Sequence, residues 1–559
     1  MRESRRGLGC AAGLIAGILI LAAAIPGGLK LYERYRPTYE MADKTEVFQI
    51  RGNQAAILLN GELQDSKGIY AEGQVYLPVS WVNQYVNERF YWDSGEELLV
   101  YTLPEEIVYA DARTEGESGH LLQVYDGEAY LSLGLISNYS DIRVQAFDTS
   151  EIKRVFIDTT WDQLDQAVLR RGGMVRVRGG IKSPVICEAV KGDTVTVLEA
   201  MDHWSKVRTA DGYVGYIENR RLKEEQPLEL SSSFSAPVYK NISMEQPVVL
   251  AFHQVFTQDA NQKMESLLEE TEGINVIVPT WFVIQDTEGN YSSIASKDYV
   301  DKAHEMGIQV WAMLNNVSTA ESVAVNTAEL MSSTSTREKL IESLMDDAQE
   351  YGFDGINLDF ESLRSEAGPH YVQFIRELSV ACRKAGLVLS VDNYVPSAYT
   401  QFYNRKEQGI VADYVIIMGY DEHYAGGEAG PVSSISFVEN GIADTLKQVP
   451  KEKVINAIPF YTRLWTTEGG SQTSQVFDME EEEIWISENH LDPEWKEELG
   501  LYYAERQGEN GLEQLWMEEE RSIGEKMDLV RQYGLAGVAC WKLGFEKPEI
   551  WEIISGKIQ

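Results

Sequence analysis

The C-terminal part of the chain, residues 248–559, alternates short apolar runs with amphipathic stretches. At five places a helical pattern ends at a glycine and an apolar strand pattern starts at once. Such repeating βα units predict a TIM (β/α)8 barrel, in which functional side chains gather where the strands end. The apolar runs place the eight strands at residues 248–252, 276–279, 309–314, 355–360, 387–391, 414–418, 454–459 and 537–541. The five glycines are Gly273, Gly307, Gly352, Gly386 and Gly534.

One predicted strand departs from the apolar pattern. Residues 354–361 read Asp-Gly-Ile-Asn-Leu-Asp-Phe-Glu, so polar and large apolar side chains alternate. Successive side chains lie on opposite faces of a strand, which puts Asn357, Asp359 and Glu361 together on the face inside the barrel. The apolar residues between them then face the covering helices. Buried carboxylates need hydrogen bonds or shifted pKa values, as a general acid does.

The N-terminal half is predicted to contain smaller modules. Residues 38–170 carry short alternating runs, and the pattern of residues 73–78 returns at 127–132. This α+β region resembles the N-terminal repeat of copper amine oxidases and bacterial surface proteins, which implies a spacer or a wall-facing module. Residues 172–222 predict a small β-barrel and resemble a bacterial SH3-like domain, which implies contact with cell-wall polymers or a spacer that binds nothing. A polar linker follows at residues 223–247.

Composition removes several classes of function. The formal net charge of −39 argues against nucleic acid as a partner, because a phosphate backbone is bound by clustered Lys and Arg. The four cysteines form no CxxC pair, so they signal neither a disulfide framework nor a zinc site. The sequence has no HExxH motif, phosphate-binding glycine loop or nucleophilic serine elbow. We therefore expect no metal and no cofactor.

The first 36 residues predict a cytoplasmic stub and a transmembrane signal anchor. Basic residues flank an apolar run over residues 7–29 that is long enough to span a bilayer. A cleavable signal peptide, cut near Ala22-Ala23-Ala24, is the alternative. Either interpretation predicts an extracytoplasmic protein, anchored to the bacterial cell membrane in the first case and secreted in the second.

Motifs at four strand ends carry a resemblance to a known family. Residues 248–559 resemble glycoside hydrolase family 18, which includes chitinases and spore or cell-wall N-acetylglucosaminidases. The family's strand-four motif Asp-x-x-Asp-x-Asp-x-Glu is matched at three of its four positions, and the motifs of strands six, seven and eight follow in the family's order. The matching residues are Asp354, Asp359 and Glu361, then Met418-Gly419-Tyr420-Asp421, then Pro459-Phe460-Tyr461-Thr462-Arg463, and Trp541.

The resemblance implies substrate-assisted catalysis on an N-acetylated polysaccharide, peptidoglycan or chitin-like. Glu361 would protonate the leaving oxygen, Asp359 would orient the acetamide nitrogen, and Tyr420 would hold the acetamide oxygen. Asp354 is expected to be structural, bonding backbone or strand neighbours inside the barrel. The residues expected to contact substrate are Asn357, Asp421, Trp541, Met418, Trp281, Tyr461 and Arg463. Trp465 and His253 are equally consistent with the cleft and with the core.

Asn357 departs from the family pattern, which has Asp at this position. An amide cannot accept a proton from Asp359, although it can still hydrogen-bond to it. Two functions are therefore kept. The first is a membrane-anchored glycosidase that hydrolyses β-1,4 bonds, and the second is a weakly active or inactive glycan-binding scaffold of the cell wall.

Overall fold

The computed structural model of the chain describes residues 30, 32–317 and 325–558. Contacts divide the chain into two compact units, residues 1–92 with 110–236, and residues 93–109 with 237–559. The predicted membrane-spanning run at 7–29 lies outside the described residues. Among the residues that are described, no helix has both the length and the apolar character needed to cross a bilayer.

The first unit contains the predicted repeat. Strand Gln74–Pro78 leads into helix Val79–Tyr85, and strand Glu128–Ser132 leads into helix Leu133–Tyr139. The two strands pair antiparallel, and each copy of the pattern forms a strand followed by a helix. Their seven-stranded sheet also contains Gln54–Leu59, Glu62–Ala71, Leu122–Tyr125, Arg143–Phe147 and Arg154–Asp158. A helix at Lys44–Phe48 and the paired segments Glu115–Gly116 and Gly119–His120 complete this part.

The second sheet of this unit is antiparallel and has seven strands around a small apolar core that includes Val175, Val195 and Val207. Strand Gln166–Leu169 pairs with two strands of this sheet, so the module begins before the predicted boundary at 172. The other strands are Gly173–Arg176, Val185–Ala189, Thr194–Ala200, Trp204–Thr209, Val214–Glu218 and Leu222–Glu224, with a 3₁₀ turn at Asn219–Arg221.

The second unit is built on a closed parallel barrel. Each of eight strands pairs with the next along the chain, and the last strand pairs with the first. The predicted TIM-type barrel is therefore confirmed. The strands are β1 (Val248–His253), β2 (Val276–Pro279), β3 (Gln309–Asn315), β4 (Gly355–Asp359), β5 (Val388–Tyr394), β6 (Tyr414–Met418), β7 (Val454–Pro459) and β8 (Gly537–Trp541).

Helices cover the outside of the barrel strands. All five glycines at the predicted helix–strand junctions have positive φ, between 63° and 80°, a left-handed conformation that other residues adopt at a cost. The helices are α1 (Met264–Leu268), α2 (Lys297–Glu305), α3 (Thr327–Ser332), α4 (Thr334–Tyr351), α5 (Gly368–Ala385), α6 (Arg405–Val411), α7 (Ile435–Thr445), α8 (Met479–Glu488), α9 (Glu520–Tyr533) and α10 (Glu549–Lys557). Single 3₁₀ turns lie at Gln258–Lys263, Ser365–Ala367, Gln401–Tyr403 and Lys451–Lys453.

An antiparallel sheet of five strands is inserted between β7 and β8. The insertion also contains α8, which has three glutamates in its first turn. Its strands are Tyr461–Glu468, Ser471–Asp478, Glu494–Lys496, Leu501–Gly508 and Gly511–Met517. A hairpin of Phe282–Ile284 and Tyr291–Ser293 follows β2. Strands Tyr91–Asp93 and Ile107–Ala110 lie where the chain passes between the two units, on either side of Leu98–Thr102.

A buried ion pair joins α4 to α5. Arg337 donates from Nε to Glu377 Oε2 at 2.8 Å and from Nη2 to Oε1 at 2.9 Å, and the two side chains are 0% and 1% exposed. Gln373 donates to the same carboxylate at 2.9 Å and to Thr102 Oγ1 at 3.1 Å. These contacts explain why residues 93–109, which the sequence pattern groups with region 38–170, belong to the barrel unit.

We expect Glu377→Ala to lower the free energy of unfolding by about 3–5 kcal/mol, because it leaves the Arg337 guanidinium buried without its counter-charge. Asp444→Ala is the control, since it removes the partner of Lys447 from an ion pair whose side chains are 48% and 72% exposed. That change should cost less than about 1 kcal/mol. Urea denaturation of the full chain measures both, and equal losses would contradict the expected weight of the buried pair.

Candidate active site

The central strand β4 has the two faces that its sequence predicts. Asn357 and Asp359 are 0% and 7% exposed and contact groups of the barrel interior or its mouth. Ile356 and Leu358 lie in the apolar layer that the barrel shares with its helices. Glu361 follows the strand by two residues, which places its carboxyl at the end of the barrel where the strands finish.

A cavity of about 120 Å³ opens at this end of the barrel. It brings together six of the residues that the sequence predicts for the site. Three further lining residues, Phe252, Asp392 and Tyr394, lie outside that predicted set. The full lining is Phe252, Asp359, Glu361, Asp392, Tyr394, Met418, Tyr420, Asp421 and Trp541.

Glu361 is held at its backbone and at its carboxyl. Its N–H donates to Asn316 Oδ1 at 2.8 Å, and Asn316 Nδ2 donates back to the Glu361 carbonyl at 2.9 Å. Tyr394 donates its hydroxyl proton to Glu361 Oε2 at 2.8 Å. Burial raises the pKa of Glu361 above its usual value, the Asp421 charge raises it further, and the Tyr394 hydrogen bond offsets part of the rise. The raised pKa favours the protonated form of Glu361, which is the form that a general acid needs.

Asp359 is a buried carboxyl group that lines the cavity. Its Oδ1 is buried and has no hydrogen-bond partner within the residues that the structure describes. Burial, the Glu361 charge and the Asp392 charge together raise the pKa of Asp359 well above the usual range. Because the Asp359 side chain lines the cavity, its carboxyl group is available to a ligand's N–H donor.

Asp392 and Tyr394 come from β5, which extends three residues beyond its predicted end at 391. Asp392 is 3% exposed, and burial followed by the Glu361 charge raises its pKa to about 8, against the opposing effect of the Asn357 hydrogen bond. The sequence signal was present, since Ser390, Asp392 and Tyr394 alternate with other residues as the polar positions of β4 do.

Tyr420 and Asp421 follow β6, and Met418 ends it. Asp421 takes a left-handed backbone conformation with φ of 58°. Tyr461 donates to Asp421 Oδ1 at 2.7 Å, and Arg463 Nη2 lies 3.8 Å from the same oxygen. Tyr461 and Arg463 therefore support Asp421 from the inserted sheet and do not line the cavity themselves.

The predicted aromatic residues divide between cavity and core. Trp541 ends β8, lines the cavity and packs at 5.5 Å against the ring of Phe252. Trp281, which the sequence places in the cleft, is 1% exposed and donates from Nε1 to Asn261 Oδ1 at 2.8 Å, so it belongs to the core. Trp465 is equally buried and donates to the Gly430 carbonyl at 2.9 Å. His253 is also buried, pairs with the Tyr299 hydroxyl at 2.9 Å, and has its pKa lowered to about 4, mainly by burial.

Asn357 and Asp354 both form hydrogen bonds with other residues of the protein. Asn357 Nδ2 donates to Asp392 Oδ1 at 2.9 Å and to Ser390 Oγ at 3.0 Å, so the amide that could bond to Asp359 reaches across to β5. Because Asn357 is fully buried below the cavity, we assign it to positioning Asp392 and not to substrate contact. Asp354 lies at the start of β4, half-buried and not inside the barrel, where it accepts from the Val310 N–H at 2.8 Å.

A second depression borders Glu361 on another side. Its lining includes Asn316, Asn326, Ser362 and Arg364, all polar side chains. Glu361 thus lines both spaces.

The carboxylates of β4 and the motif residues that follow β6 and β8 surround one cavity of the barrel. This arrangement is typical of a glycoside hydrolase. The model of the glycosyl hydrolases family 18 matches residues 212–546, and the chain belongs to this family. A bacterial SH3 domain model matches residues 172–223, which confirms the predicted SH3-like module.

Two relatives from Bacillus subtilis (strain 168) illustrate the similarity. The chain is 26% identical over 310 residues to "Uncharacterized glycosylase YvbX", a match that covers 54% of this chain and 89% of that protein. It is 28% identical over 236 residues to a "Cortical fragment-lytic enzyme", covering 40% of this chain and 54% of the relative. The chain thus spans about half the length of this second relative. A chitinase structure from Chromobacterium violaceum shares the fold with a TM-score of 0.51 at 23% identity, covering 56% of this chain and 99% of that one.

The raised pKa of Asp392 predicts how stability depends on pH. Its carboxyl has a pKa of about 8 when folded and an ordinary, much lower value when unfolded, so the folded state binds this proton more tightly. Its contribution to stability is full below the unfolded pKa of about 3.9 and is lost as pH rises through the folded value. Urea denaturation between about pH 5 and about pH 8 should therefore show a smaller loss of stability in Asp392→Asn than in the wild type.

Asp444→Asn, which changes a half-exposed carboxyl, is the control and should keep the wild-type dependence on pH. Identical dependence in the wild type and in Asp392→Asn would contradict the raised pKa of Asp392.

Proposed function

We propose that this glycoside hydrolase cleaves β-1,4 bonds beside N-acetylglucosamine with retention of configuration, using the sugar's own acetamide as the nucleophile. The observation that carries the proposal is the meeting of Glu361, Asp359 and Tyr420 at one cavity. Glu361 has the raised pKa of a proton donor, and Asp359 lines the cavity with a carboxyl group that can accept an acetamide N–H.

The first step is protonation of the leaving oxygen by Glu361. Tyr394 holds the carboxyl in place, and burial raises its pKa and so favours the protonated form. As the bond to the leaving sugar breaks, the acetamide oxygen attacks the anomeric carbon from the other side. Glu361, now a carboxylate, then accepts a proton from the water molecule that opens the cyclic intermediate.

The acetamide needs groups that orient it and stabilise its positive charge. Asp359 accepts the acetamide N–H and, as a carboxylate, stabilises that charge in a site from which water is largely excluded. Tyr420 donates its hydroxyl to the acetamide oxygen and holds it in line for attack. Trp541 and Phe252 offer an aromatic wall for the apolar face of the sugar.

Peptidoglycan is the more plausible polymer, and chitin is the alternative. A relative named for lysis of cortical fragments and the SH3-like module both favour a wall polysaccharide. A relative named "Chitinase A1" supports chitin as the alternative substrate. The SH3-like module would then hold the enzyme on the wall polymer.

An extracytoplasmic location fits such a substrate. The apolar run at residues 7–29, flanked by basic residues, supports a membrane anchor, with cleavage and secretion as the alternative. N-terminal sequencing of the mature protein decides between them, because only the anchored form keeps Met1 or its immediate neighbours.

We expect Glu361→Gln to lower turnover by at least about 10²-fold, because the amide keeps the shape of the side chain but cannot donate the proton. Full-length protein is incubated with purified peptidoglycan and with chitooligosaccharides, and new reducing ends are identified by mass spectrometry. The matched control Glu439→Gln changes an exposed glutamate on α7 and should leave turnover unchanged.

Undiminished product formation by Glu361→Gln would remove Glu361 from the mechanism. If the wild type releases no product from either polymer yet binds one of them, the glycan-binding scaffold becomes the better account.

The 2-acetamido group should be essential. De-N-acetylated oligosaccharides of the same length lack the internal nucleophile, so we expect their cleavage to be at least about 10²-fold slower, given the large advantage of an intramolecular reactant. Mass spectrometry of matched acetylated and deacetylated oligosaccharides measures the ratio. Similar rates would point to an enzyme carboxylate as the nucleophile.

A further inference from the structure

Asp359 and Asp392 are neighbours on adjacent parallel strands. The register pairs Asn357 with Ser390 and Leu358 with Val391, so the next inward positions are Asp359 and Asp392. Neighbouring strands lie about 4.8 Å apart, which brings the two carboxyl groups within reach of one another. Both line the same cavity, and both are at least nine-tenths buried.

Two buried carboxyl groups at this separation cannot both be ionised without a large electrostatic cost. The pair therefore holds one proton between them, and its titration belongs to the pair. The proposed function nevertheless requires Asp359 to be negative when the acetamide becomes positively charged. The proton must then be on Asp392.

Asn357 prepares Asp392 for this proton. Its amide donates to Asp392 Oδ1 and so fixes that oxygen as an acceptor, which leaves Oδ2 as the place for the proton. Asn357 Nδ2 also donates to Ser390 Oγ at 3.0 Å, which fixes the orientation of the amide plane. An amide at 357 cannot itself exchange a proton with Asp359, so this task passes to the next strand.

We propose that Asp392 is the proton-exchange partner of Asp359, with Asn357 as the residue that positions it. When the acetamide N–H binds, the Asp359 O–H bond breaks and an O–H bond forms on Asp392 Oδ2. The pair keeps a charge of −1 throughout, and the proton returns when the product leaves. This inference rests on the proposed function for its catalytic consequence, although the shared proton is a property of the protein alone.

Other titratable groups face the pair from four elements, one of which is the 3₁₀ turn that carries Tyr403. Glu361 at the end of β4 raises the pKa of both aspartates, and Tyr420 after β6 faces them across the cavity. From α5, Tyr371 approaches from the apolar layer. Burial raises the pKa of each tyrosine, so the tyrosines stay neutral over the pH range of the assays. The aspartate pair and Glu361 therefore dominate the dependence of turnover on pH.

The test moves the carboxyl group from one strand to the other. Asp392→Asn keeps the acceptor for Asn357 but removes the exchangeable proton, and we expect kcat to fall at least tenfold with KM changed less than threefold. In the double variant Asn357→Asp/Asp392→Asn, a carboxyl again lies on the same face as Asp359, and kcat should recover to within about threefold of wild type. Chitotetraose and purified peptidoglycan are the substrates, with the full-length protein.

A loss of less than tenfold in Asp392→Asn would overturn the proposal, and so would a folded double variant as inactive as the single one. A purely structural role for Asp392 predicts no rescue, because the double variant still lacks that carboxylate. Thermal unfolding shows whether each variant is folded.

A second measurement needs no turnover. Carboxyl ¹³C chemical shifts of aspartate-labelled wild-type protein should show a coupled titration that extends to about pH 8 and above, and Asp392→Asn should abolish its two-step form. Unchanged titration curves would overturn the shared proton. If the wild type cleaves neither substrate, the proposed function fails while this titration still decides whether the pair shares a proton.

Discussion

The structure depends on how the barrel mouth accommodates several carboxyl groups that are largely shielded from water. Asp359, Glu361 and Asp392 lie within one small cavity, and each ionised group raises the cost of ionising the others. Hydrogen bonds from Tyr394 and Asn357 relieve part of that cost at two of the three. The remaining repulsion favours the protonated forms of these groups, and the proposed acid catalysis would use that protonation.

Local patterns were sufficient to predict the barrel. An apolar run bounded by a helix-ending glycine depends on a few neighbouring residues, and all five such glycines have the left-handed conformation that their role requires. Four of the predicted strands match the observed bounds, those starting at Val276, Tyr414, Val454 and Gly537. The alternation in β4 likewise predicted which residues face the helices, because a strand has only two faces.

The site was less predictable because it depends on partners that are distant in the chain. The residues next to Trp281 in the sequence do not indicate that its indole N–H bonds to Asn261 and that its ring is buried away from the cleft. The polar alternation of β4 returns at the end of β5, but the apolar run of residues 387–391 predicts that this strand ends before Asp392. From the sequence alone Asn357 can bond to Asp359, whereas in the structure its amide reaches across to Asp392.

The interleaving of the chain affects how this enzyme can be divided. Residues 93–109 are separated by more than a hundred positions from the start of the barrel, yet their Thr102 completes the polar contacts of Gln373 beside a buried ion pair. A fragment cut at the linker would lack this strand and leave the surface of α5 that it covers open to solvent. The barrel therefore cannot be separated from residues 93–109 without loss of these contacts. Gene fusions or deletions that preserve its function must keep this segment in the same polypeptide.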